Sequence, residues 1–407
     1  MRIVIQQSCS WRTRLYYAAA TVMSVFAPSL VAAAATVEVT AEFAPSALNP
    51  SHNEFTNTTK PGVYCTWLPT ACSASGAYFF DVPINASKTY LKGGGARKHF
   101  YVRLPAPRIA QLTHTSSGVS YPIELAFQAV SGHLSPGGST NPVFTLYPRG
   151  GCAYIRTVSA GSWVRFGWTV RAPDSPQACH SSADGATGFT RTYNLAWLGL
   201  GMRIRSPSPL ELPSGEYEGV VNYSVGGEDA DIDLGDDVIV DPQITLMLRF
   251  TVKHAFQVIF PAENPRVALV PVGGWKQWTD YGRLPVSMRQ ELPFSLTSST
   301  EFSMKLRCEQ DVEGRCGIRN LVEDVAVPID VDVTMPGMRN LRDGRPAQDT
   351  PLLPDDARAP RFAPDGYLME RRSILRFTAK REAVTEMFKA PGSRWEGNVT
   401  VVFDANL

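Results

Sequence analysis

A short motif occurs twice in this chain of 407 residues, once near its middle and once close to its end. Residues 213–225 read PSGEYEGVVNYSV and residues 391–403 read PGSRWEGNVTVVF. Each copy has a proline, an aromatic residue four positions later, then Glu-Gly and a run with alternating apolar residues. A turn that leads into a strand of period two is a unit from which sheets are built. The repeat therefore predicts two β-domains in tandem, each closed by its own last strand.

The composition of the chain supports a β-rich fold. The chain is 44% hydrophobic and 10% aromatic, and its 31 prolines and 32 glycines indicate frequent turns. In WVRFGWTV, residues 163–170, every second residue from Val164 to Val170 is apolar and lies on one face of the predicted strand. Many short strands between turn residues are typical of β-sandwiches. We therefore predict an all-β protein with two immunoglobulin-like sandwich domains, at residues 36–225 and 243–407.

The first 35 residues are typical of a secretory signal peptide. Three arginines lead into an apolar run at 15–35, which ends in small residues with an A-x-A cleavage site at Ala33 and Ala35. A membrane anchor is the alternative, and Pro28 within the run argues against it. We expect cleavage to release a soluble, exported chain that begins near Thr36.

The cysteines agree with export. One of the seven lies in the signal peptide, and an even number in an exported chain indicates disulfide bonds. Six cysteines allow many connectivities, and sequential pairing is the simplest because it keeps each bridge within one predicted domain. The spacings do not match a zinc site, and the histidines are scattered singly. The predicted disulfide residues are Cys65, Cys72, Cys152, Cys179, Cys308 and Cys316.

An acidic, glycine-containing stretch separates the two predicted domains. Residues 226–242 read GGEDADIDLGDDVIVDP, which predicts a solvated linker. Alternating aspartates from Asp229 to Asp233 suggest a calcium loop. The sixth and twelfth positions of such a loop, which need glycine and an acidic residue, hold Leu234 and Val240. We therefore expect no metal site here.

No sequence motif indicates catalysis. The chain has no G-x-S-x-G, H-E-x-x-H, P-loop or dinucleotide-binding pattern. The triple glycine at Gly93 to Gly95 lacks the G-K-[ST] ending of a phosphate-binding loop and predicts a hairpin turn. The formal charge is only +1, which argues against a nucleic-acid partner. We expect a protein that is not an enzyme and has no cofactor.

Together these features resemble the chaperone–usher fimbrial subunits of Gram-negative bacteria. The terminal sequence WEGNVTVVFDANL, a Gly before an alternating V-x-V-x-F near the end, matches most specifically. The stretch NEFTNTTKPGVYC is similar to the beginning of fimbrial subunits. The length is similar to that of a two-domain tip adhesin, which would place the protein in a fimbrium on the bacterial surface, after transit through the periplasm.

The resemblance implies that the second, pilin-like domain is incomplete. Such domains lack their last strand, which a periplasmic chaperone supplies and a neighbouring subunit replaces at the outer-membrane usher. Val399, Val401 and Phe403 would lie on the strand that borders the groove, and a basic cleft of the chaperone would hold the carboxylate of Leu407. The alternative is that these residues alternate on the edge strand of a complete sandwich.

The resemblance also raises the question of what the first domain does. A tip adhesin would bind a glycan or a host protein, whereas a structural adaptor would have no receptor. A third possibility is a secreted carbohydrate-active enzyme on a β-sandwich. The segment TVEVTAEF, residues 36–43, would donate a strand to a neighbour in an adaptor, or form the first strand of the domain.

Candidate receptor contacts are aromatic and polar residues in turn-rich surroundings, because sugar rings stack on aromatic faces. We expect the tryptophans at 163, 168 and 197, which lie in predicted strands, to be core residues. A predicted exposed loop at 336–366 and the turn from Gly273 to Trp278 are alternative contact surfaces. The candidate receptor-binding residues are Tyr64, Trp67, Asn85, Arg97 and Tyr101.

Overall fold

The computed structural model describes residues 2–8, 35–46, 48, 53–136, 145–160, 163–182, 188–263 and 265–405. Most of the predicted signal peptide and the carboxyl-terminal Leu407 lie outside these ranges. Strands dominate the described residues, which confirms the prediction of an all-β fold. No helix in these ranges combines the length and the apolar character needed to cross a bilayer.

The first part of the chain, through residue 252, consists mainly of strands, and these continue beyond the predicted boundary at residue 225. They are β1 (Arg2–Ser8), β2 (Ala35–Phe43), β3 (Thr56–Asn57), β4 (Tyr78–Val82), β5 (Ala86–Leu91), β6 (Tyr101–Val102), β7 (Arg108–His114), β8 (Ser120–Pro136), β9 (Thr145–Gly150), β10 (Cys152–Ala160), β11 (Trp163–Val170), β12 (Cys179–Ser182), β13 (Thr190–Arg205), β14 (Gly215–Gly226), β15 (Ile232–Asp233), β16 (Val238–Val240) and β17 (Gln243–Val252). Two short helices interrupt them, α1 (Val63–Trp67) and α2 (Pro69–Ser75).

The second part of the chain has the same character. Its strands are β18 (Phe256–Ile259), β19 (Val270–Pro271), β20 (Met288–Ser298), β21 (Phe302–Cys308), β22 (Asp311–Val312), β23 (Arg315–Asn320), β24 (Ala326–Thr334), β25 (Met338–Asn340), β26 (Thr350–Leu352), β27 (Arg361–Pro364), β28 (Leu368–Ala379), β29 (Trp395–Glu396) and β30 (Asn398–Ala405). The helices are α3 (Lys276–Tyr281) and α4 (Arg381–Met387). Single 3₁₀ turns lie at Ala96–Lys98, Pro209–Glu211 and Asp356–Arg358.

The first domain is built on one large sheet. Its strands follow the order β16-β5-β13-β8-β7-β14-β17-β2-β3, with β4, β10, β11 and β15 attached, and β6, β12 and β9 form a smaller sheet. Apolar residues from Val37 in β2 to Val252 in β17 form a single buried cluster. Phe166 and Trp168, on the apolar face predicted for β11, are fully buried within it.

The structure corrects the predicted linker at 226–242 and the predicted domain boundaries on either side of it. β15 pairs with β14, β16 pairs with β5, and Ile232 and Leu234 are buried in the first core. β17, predicted to begin the second domain, pairs antiparallel with β14 and contributes Phe250 and its apolar neighbours to the same core. Four acidic residues of the segment 226–242 form ion pairs with basic residues far away in the sequence, which a local composition cannot indicate: Asp231 with Arg108, Asp233 and Asp236 with Arg97, and Asp237 with Lys98.

The amino-terminal strand of the predicted mature chain belongs to the first domain. β2 runs parallel to β17 from Ala35, opposite Ile244, to Phe43, opposite Val252. Its apolar residues are buried in alternation, as the sequence predicts. In the structure, residues 36–43 therefore form a strand of their own domain and do not extend from it as a donor strand.

The second domain is a sandwich with its own core. One sheet has the order β1-β30-β21-β27-β25 and the other the order β18-β20-β28-β24-β23-β22, with β19, β26 and β29 attached to it. The buried cluster between them runs from Val267 to Ala405 and shares no residue with the first core. Two tandem β-domains, each with the repeated motif, are therefore present as predicted.

The predicted exposed loop at 336–366 is another correction. The segment contains β25, β26 and β27, and Met338, Leu352 and Phe362 are buried in the second core. These apolar residues are too widely spaced to show a strand period. They are buried because the segment pairs with β21 and β24, which lie earlier in the chain.

The six cysteines form three disulfide bonds in sequential order. Cys65–Cys72 joins α1 to α2, and Cys152–Cys179 is buried in the first core. Cys308–Cys316 connects β21 in one sheet of the second domain to β23 in the other. Each bridge therefore lies within one domain.

The two domains are joined through His254. Its Nε2 donates to the carbonyl of Leu212 at 2.8 Å, and its Nδ1 lies 3.1 Å from the hydroxyl of Ser299. The Ser299 hydroxyl also accepts from the backbone N–H of Ala255 at 2.9 Å. Because a carbonyl only accepts, the proton of the neutral imidazole lies on Nε2 and Nδ1 accepts from Ser299.

Candidate functional site

The last strand, β30, has an unusual neighbour. On one side it pairs antiparallel with β21, from Ala405 opposite Phe302 to Val399 opposite Cys308. On the other side it pairs parallel with β1, from Asn398 opposite Arg2 to Asp404 opposite Ser8. β1 lies within the predicted signal peptide. The strand that covers this edge of β30 therefore comes from a segment whose removal the sequence predicts.

The predicted groove residues lie on β30 as expected from its alternation. Val399, Val401 and Phe403 are essentially fully buried. The Phe403 ring lies 5.8 Å from that of Phe294 and 6.2 Å from that of Phe302, so it packs in the middle of the second core. Loss of β1 would leave a row of backbone N–H and C=O groups without partners beside this core.

A cavity of about 780 Å³ opens at the beginning of β30. Its walls are the segment Arg266 to Leu269 on one side and the turn from Trp395 to Asn398 on the other. Asn398 is also the residue opposite Arg2 at the start of the β1–β30 ladder. Asn398 therefore belongs both to the edge that β1 covers and to the lining of the cavity.

The repeated Glu-Gly has a geometric explanation. A Cβ on Gly219 would lie 2.5 Å from the carbonyl oxygen of Gln111, and a Cβ on Gly397 would lie 2.6 Å from that of Gly317. Such contacts are far too short, so only glycine allows the neighbouring backbone to approach at this point. The motif therefore fixes how each of the two strands enters its domain.

The aromatic residue of the motif anchors the turn. In the first copy, the buried Tyr217 hydroxyl donates to the carbonyl of Pro213 at 2.6 Å, and burial raises the pKa of this hydroxyl above its ordinary value. A tyrosine that bonds back to the turn before it is a feature of immunoglobulin-like sandwiches. In the second copy, Trp395 Nε1 donates to the hydroxyl of Ser393 at 2.8 Å.

The predicted receptor residues belong to separate parts of the first domain. Tyr64 in α1 is buried and stacks on Phe79 with ring centroids 4.4 Å apart, and burial raises its pKa to about 12. The half-buried Trp67 lies under the guanidinium of Arg156, 5.7 Å from its ring centroid. Asn85 is exposed, and its backbone N–H donates to Asp241 at 3.3 Å.

Arg97 binds two aspartates of the segment 226–242, and Tyr101 lies directly beneath Arg97. Arg97 donates to Asp233 at 2.7 and 3.1 Å and to Asp236 at 2.8 Å, and it lies 5.0 Å above the buried Tyr101 ring. The hydrogen bonds that Arg97 donates to Asp233 are the main reason that the pKa of Arg97 is raised. Because the fully buried Asp233 already occupies this guanidinium, Arg97 is a structural residue and a poor receptor contact.

Lys88 also binds backbone carbonyls at this place. Its Nζ donates to the carbonyls of Arg97, Leu234 and Asp236 at 3.0, 2.8 and 2.7 Å. Burial lowers the pKa of this lysine to about 8. Within the described residues no group of three or more His, Cys, Asp or Glu could hold a metal ion.

Two tryptophans predicted as core residues are instead half-exposed. Trp168 is fully buried, whereas Trp163 and Trp197 are only half-buried. They flank His133, and the guanidinium of Arg165 lies over Trp163. The sequence WVRFGWTV could have indicated the exposure of Trp163, because the alternation that buries Val164 and Trp168 turns Trp163 and Arg165 to the other face.

Comparisons with known proteins find few relatives. No protein-family model and no curated protein matches the chain. Among solved structures, it is similar to a chain of a chaperone–tip adhesin complex of CFA/I fimbriae biogenesis, with 10% identity, a TM-score of 0.26, and coverage of 92% of this chain and 97% of that chain. It is also similar to a chain of the CsuC–CsuE chaperone–tip adhesion subunit pre-assembly complex from the archaic chaperone–usher Csu pili of Acinetobacter baumannii. That match has 8% identity, a TM-score of 0.21, and coverage of 91% and 98%. TM-scores this low do not establish a shared fold, so the function of this chain has to be inferred from its own geometry.

Proposed function

We propose that this protein is a non-enzymatic subunit of a chaperone–usher fimbrium, and that a strand from another protein completes its second domain. The single observation that carries the proposal is the parallel ladder between β1 and β30. A segment of the predicted signal peptide occupies the edge of a core strand. Once this segment is cleaved off, the same edge becomes available to a donor strand.

The energetics favour a strand donor over an open edge. Three apolar side chains that a donor buries in the core contribute about 1.5–3 kcal/mol each, or roughly 5–9 kcal/mol together. This is comparable with the stability of a whole domain. The mature second domain is therefore expected to need a partner, and strand addition at an exposed sheet edge is a known mode of protein recognition.

The partners follow from the fimbrial resemblance. In the periplasm the donor would be a pilus chaperone, and at the outer-membrane usher it would be a neighbouring subunit. Val399, Val401 and Phe403 lie on the strand that such donors would meet.

The position of β2 favours a tip adhesin over an adaptor. An adaptor would donate its amino-terminal strand to a neighbour, whereas β2 is paired with β17 and buries Val39 and Phe43 in the first core. We therefore place the protein at the fibre tip, on the bacterial surface, with the first domain facing a receptor. Immunogold labelling should mark only the ends of fibres, and labelling along the shaft would contradict this position.

The strand-donor proposal is tested with the mature chain, residues 36–407, and two fusions. In the first fusion, residues 2–8 follow Leu407 through a flexible linker of about 16 residues, long enough to return along β30. The second fusion is identical except that Ile3, Val4 and Ile5 are replaced by Asn. We expect two thermal transitions for the first fusion, and one transition with aggregation for the control and for the mature chain.

A contrary result is easily recognised in the same experiment. If the mature chain alone is soluble and unfolds with the same two transitions as the first fusion, its second domain is complete without a donor. In that case the fimbrial function has no physical basis in this structure. Co-expression with a periplasmic pilus chaperone from the same genome supplies an independent check, with a soluble 1:1 complex as the expected product.

A further inference from the structure

A second candidate site lies on the outer face of the first domain. The register of β10, β11, β8 and β13 places Val158, Arg165, His133 and Trp197 in one row across four neighbouring strands. Trp163 lies two residues from Arg165 on β11, and therefore on the same face. The opposite face of these strands contributes to the buried core.

The side chains in this row contact one another. The ring centroid of His133 lies 5.3 Å from that of Trp163 and 6.4 Å from that of Trp197. The guanidinium of Arg165 lies 5.0 Å above the Trp163 ring, and its Nε donates to His133 Nδ1 at 3.4 Å. Two half-buried indoles are thus held in place by an imidazole and a guanidinium. This restricts their rotamers before any ligand arrives.

The neighbouring helix α1 extends the same surface. Arg156 pairs with Gly167, two register positions beyond the pair of Val158 and Arg165, and its Nη1 donates to the carbonyl of Trp67 at 3.4 Å. The indole Nε1 of Trp67 is buried and has no hydrogen-bond partner. We call the six residues Trp67, His133, Arg156, Trp163, Arg165 and Trp197 the Trp–Arg strip.

The strip carries positive charge that the chain does not neutralise. Among the described residues, neither Arg156 nor Arg165 lies within ion-pair distance of a carboxylate. The sequence from 145 to 172 contains four arginines and no Asp or Glu. The nearest carboxylate on the paired strands is that of Asp81 on β4, which lies opposite Gly199 of β13. It already accepts a hydrogen bond from the backbone N–H of Val63 at the start of α1.

His133 does not add to this charge near neutral pH. Burial, and then the nearby Arg165, lower the pKa of its imidazole. Since Nδ1 accepts from Arg165, the ring proton lies on Nε2. The strip therefore combines aromatic faces with two guanidinium groups that have no carboxylate partner. These guanidinium groups carry its positive charge.

We propose that the Trp–Arg strip binds an acidic saccharide, with pyranose rings stacked on Trp163 and Trp197 and a carboxylate or sulfate held by Arg165 and Arg156. Indole faces suit the apolar face of a sugar ring, and the planar guanidinium suits an oxyanion. This inference rests on the proposed function, because it names the receptor class of the fimbrial tip. It concerns a different domain from the strand-donor site and is tested separately from it.

The test uses the full mature chain with the appended strand, or in complex with its chaperone. The probes are sialyllactose, a hyaluronan hexasaccharide and a chondroitin sulfate hexasaccharide, with lactose as the neutral counterpart and polyglutamate as an anion without sugar. Binding is measured by calorimetry at a fixed salt concentration. We expect at least one acidic saccharide to bind ~10-fold or more tightly than lactose and polyglutamate.

Variants locate the binding on the strip. W163A and W197A should each weaken binding ~10-fold or more, and R165Q should remove the preference for the acidic sugar. W275A is the matched control, because Trp275 is an exposed tryptophan of the second domain and should not affect binding. Unchanged thermal transitions of all four variants ensure that a loss of binding is not a loss of folding.

Several results would overturn the inference. No binding of any acidic saccharide, equal binding of lactose, or equal binding of polyglutamate would each be incompatible with it. Unaltered affinity in W163A and W197A would show that the sugar binds elsewhere. A mature chain that folds without a donor strand and still binds an acidic saccharide would contradict the proposed fimbrial function while leaving this site intact.

Discussion

Two strands that begin with the same motif differ in what lies beside them. β14 pairs antiparallel with β17, a strand of its own domain that follows it in the chain. β30 pairs parallel with β1, which lies in a predicted signal peptide. The glycine of the motif makes the same kind of close approach in both copies, within β14 at Gly219 and just before β30 at Gly397, and both strands bury alternate apolar residues. Similar local sequences therefore make similar strands, while the neighbouring strand decides whether the domain is complete.

The largest expected difference between the two strands is in hydrogen exchange. In the mature chain, residues 36–407, the amides of β30 and β21 should exchange rapidly, because the sheet they form has an open edge. Amides of β14 and β17 in the same sample should stay protected and serve as the internal control. Appending the donor strand should protect β30 without changing β14. Slow exchange of β30 in the mature chain would mean that its edge is covered without a donor strand.

A core truncation tests how β30 packs within the second domain. F403A in the donor-strand fusion should reduce the free energy of unfolding of this domain by about 3–5 kcal/mol, because it leaves a cavity between Phe294 and Phe302. V322A, at an exposed position of the same domain, is the control and should change it by about 0.5 kcal/mol or less. Urea unfolding measures both. A loss near that of the control would mean that Phe403 is not part of a packed core.

The glycines of the motif should be equally sensitive in the two domains. G219A and G397A each force a Cβ against a backbone carbonyl, and each should cost about 1–3 kcal/mol in its own domain. G226A is the matched control, because a Cβ there would meet nothing closer than 3.7 Å. Thermal unfolding of the fusion separates the two domains. A clear effect at one glycine and none at the other would mean that the two copies enter their domains differently.

The smallest expected effect is at the joint between the domains. Burial lowers the pKa of His254, so its neutral form is favoured in the folded protein. The joint should therefore be most stable above the ordinary pKa of about 6.5 and should weaken as the pH falls below it, by at most about 1.4 kcal/mol per pH unit. The adjacent Lys253 is paired with Glu42. H254Q, which does not titrate, should abolish this pH dependence in thermal scans between pH 7 and 5, and a persistent dependence would point to another group.

The sequence predicted local features such as strand alternation well, but it did not predict which distant segments pack or pair with one another. The alternation in WVRFGWTV correctly placed Phe166 and Trp168 in the core, yet tryptophans 163 and 197 were assigned to it as well. Acidic composition suggested a linker at 226–242, whereas Asp233 is buried against Arg97, which lies far away in the chain. The segment 336–366 lacked a strand period, and its strands pair with β21 and β24 instead. Each error concerned residues whose surroundings come from distant segments.

Local sequence patterns were enough to predict the all-β fold, the two domains and the strand that carries Val399, Val401 and Phe403. These features depend on period-two alternation, turn residues and glycine positions, which act over a few neighbouring residues. Contacts between distant segments place β17 in the first sheet and β1 against the edge of β30, and they bring Trp163, Arg165 and Trp197 together on one face. Sheet pairing joins segments that are far apart in the chain, and no local pattern specifies which backbone will satisfy the hydrogen bonds of an edge.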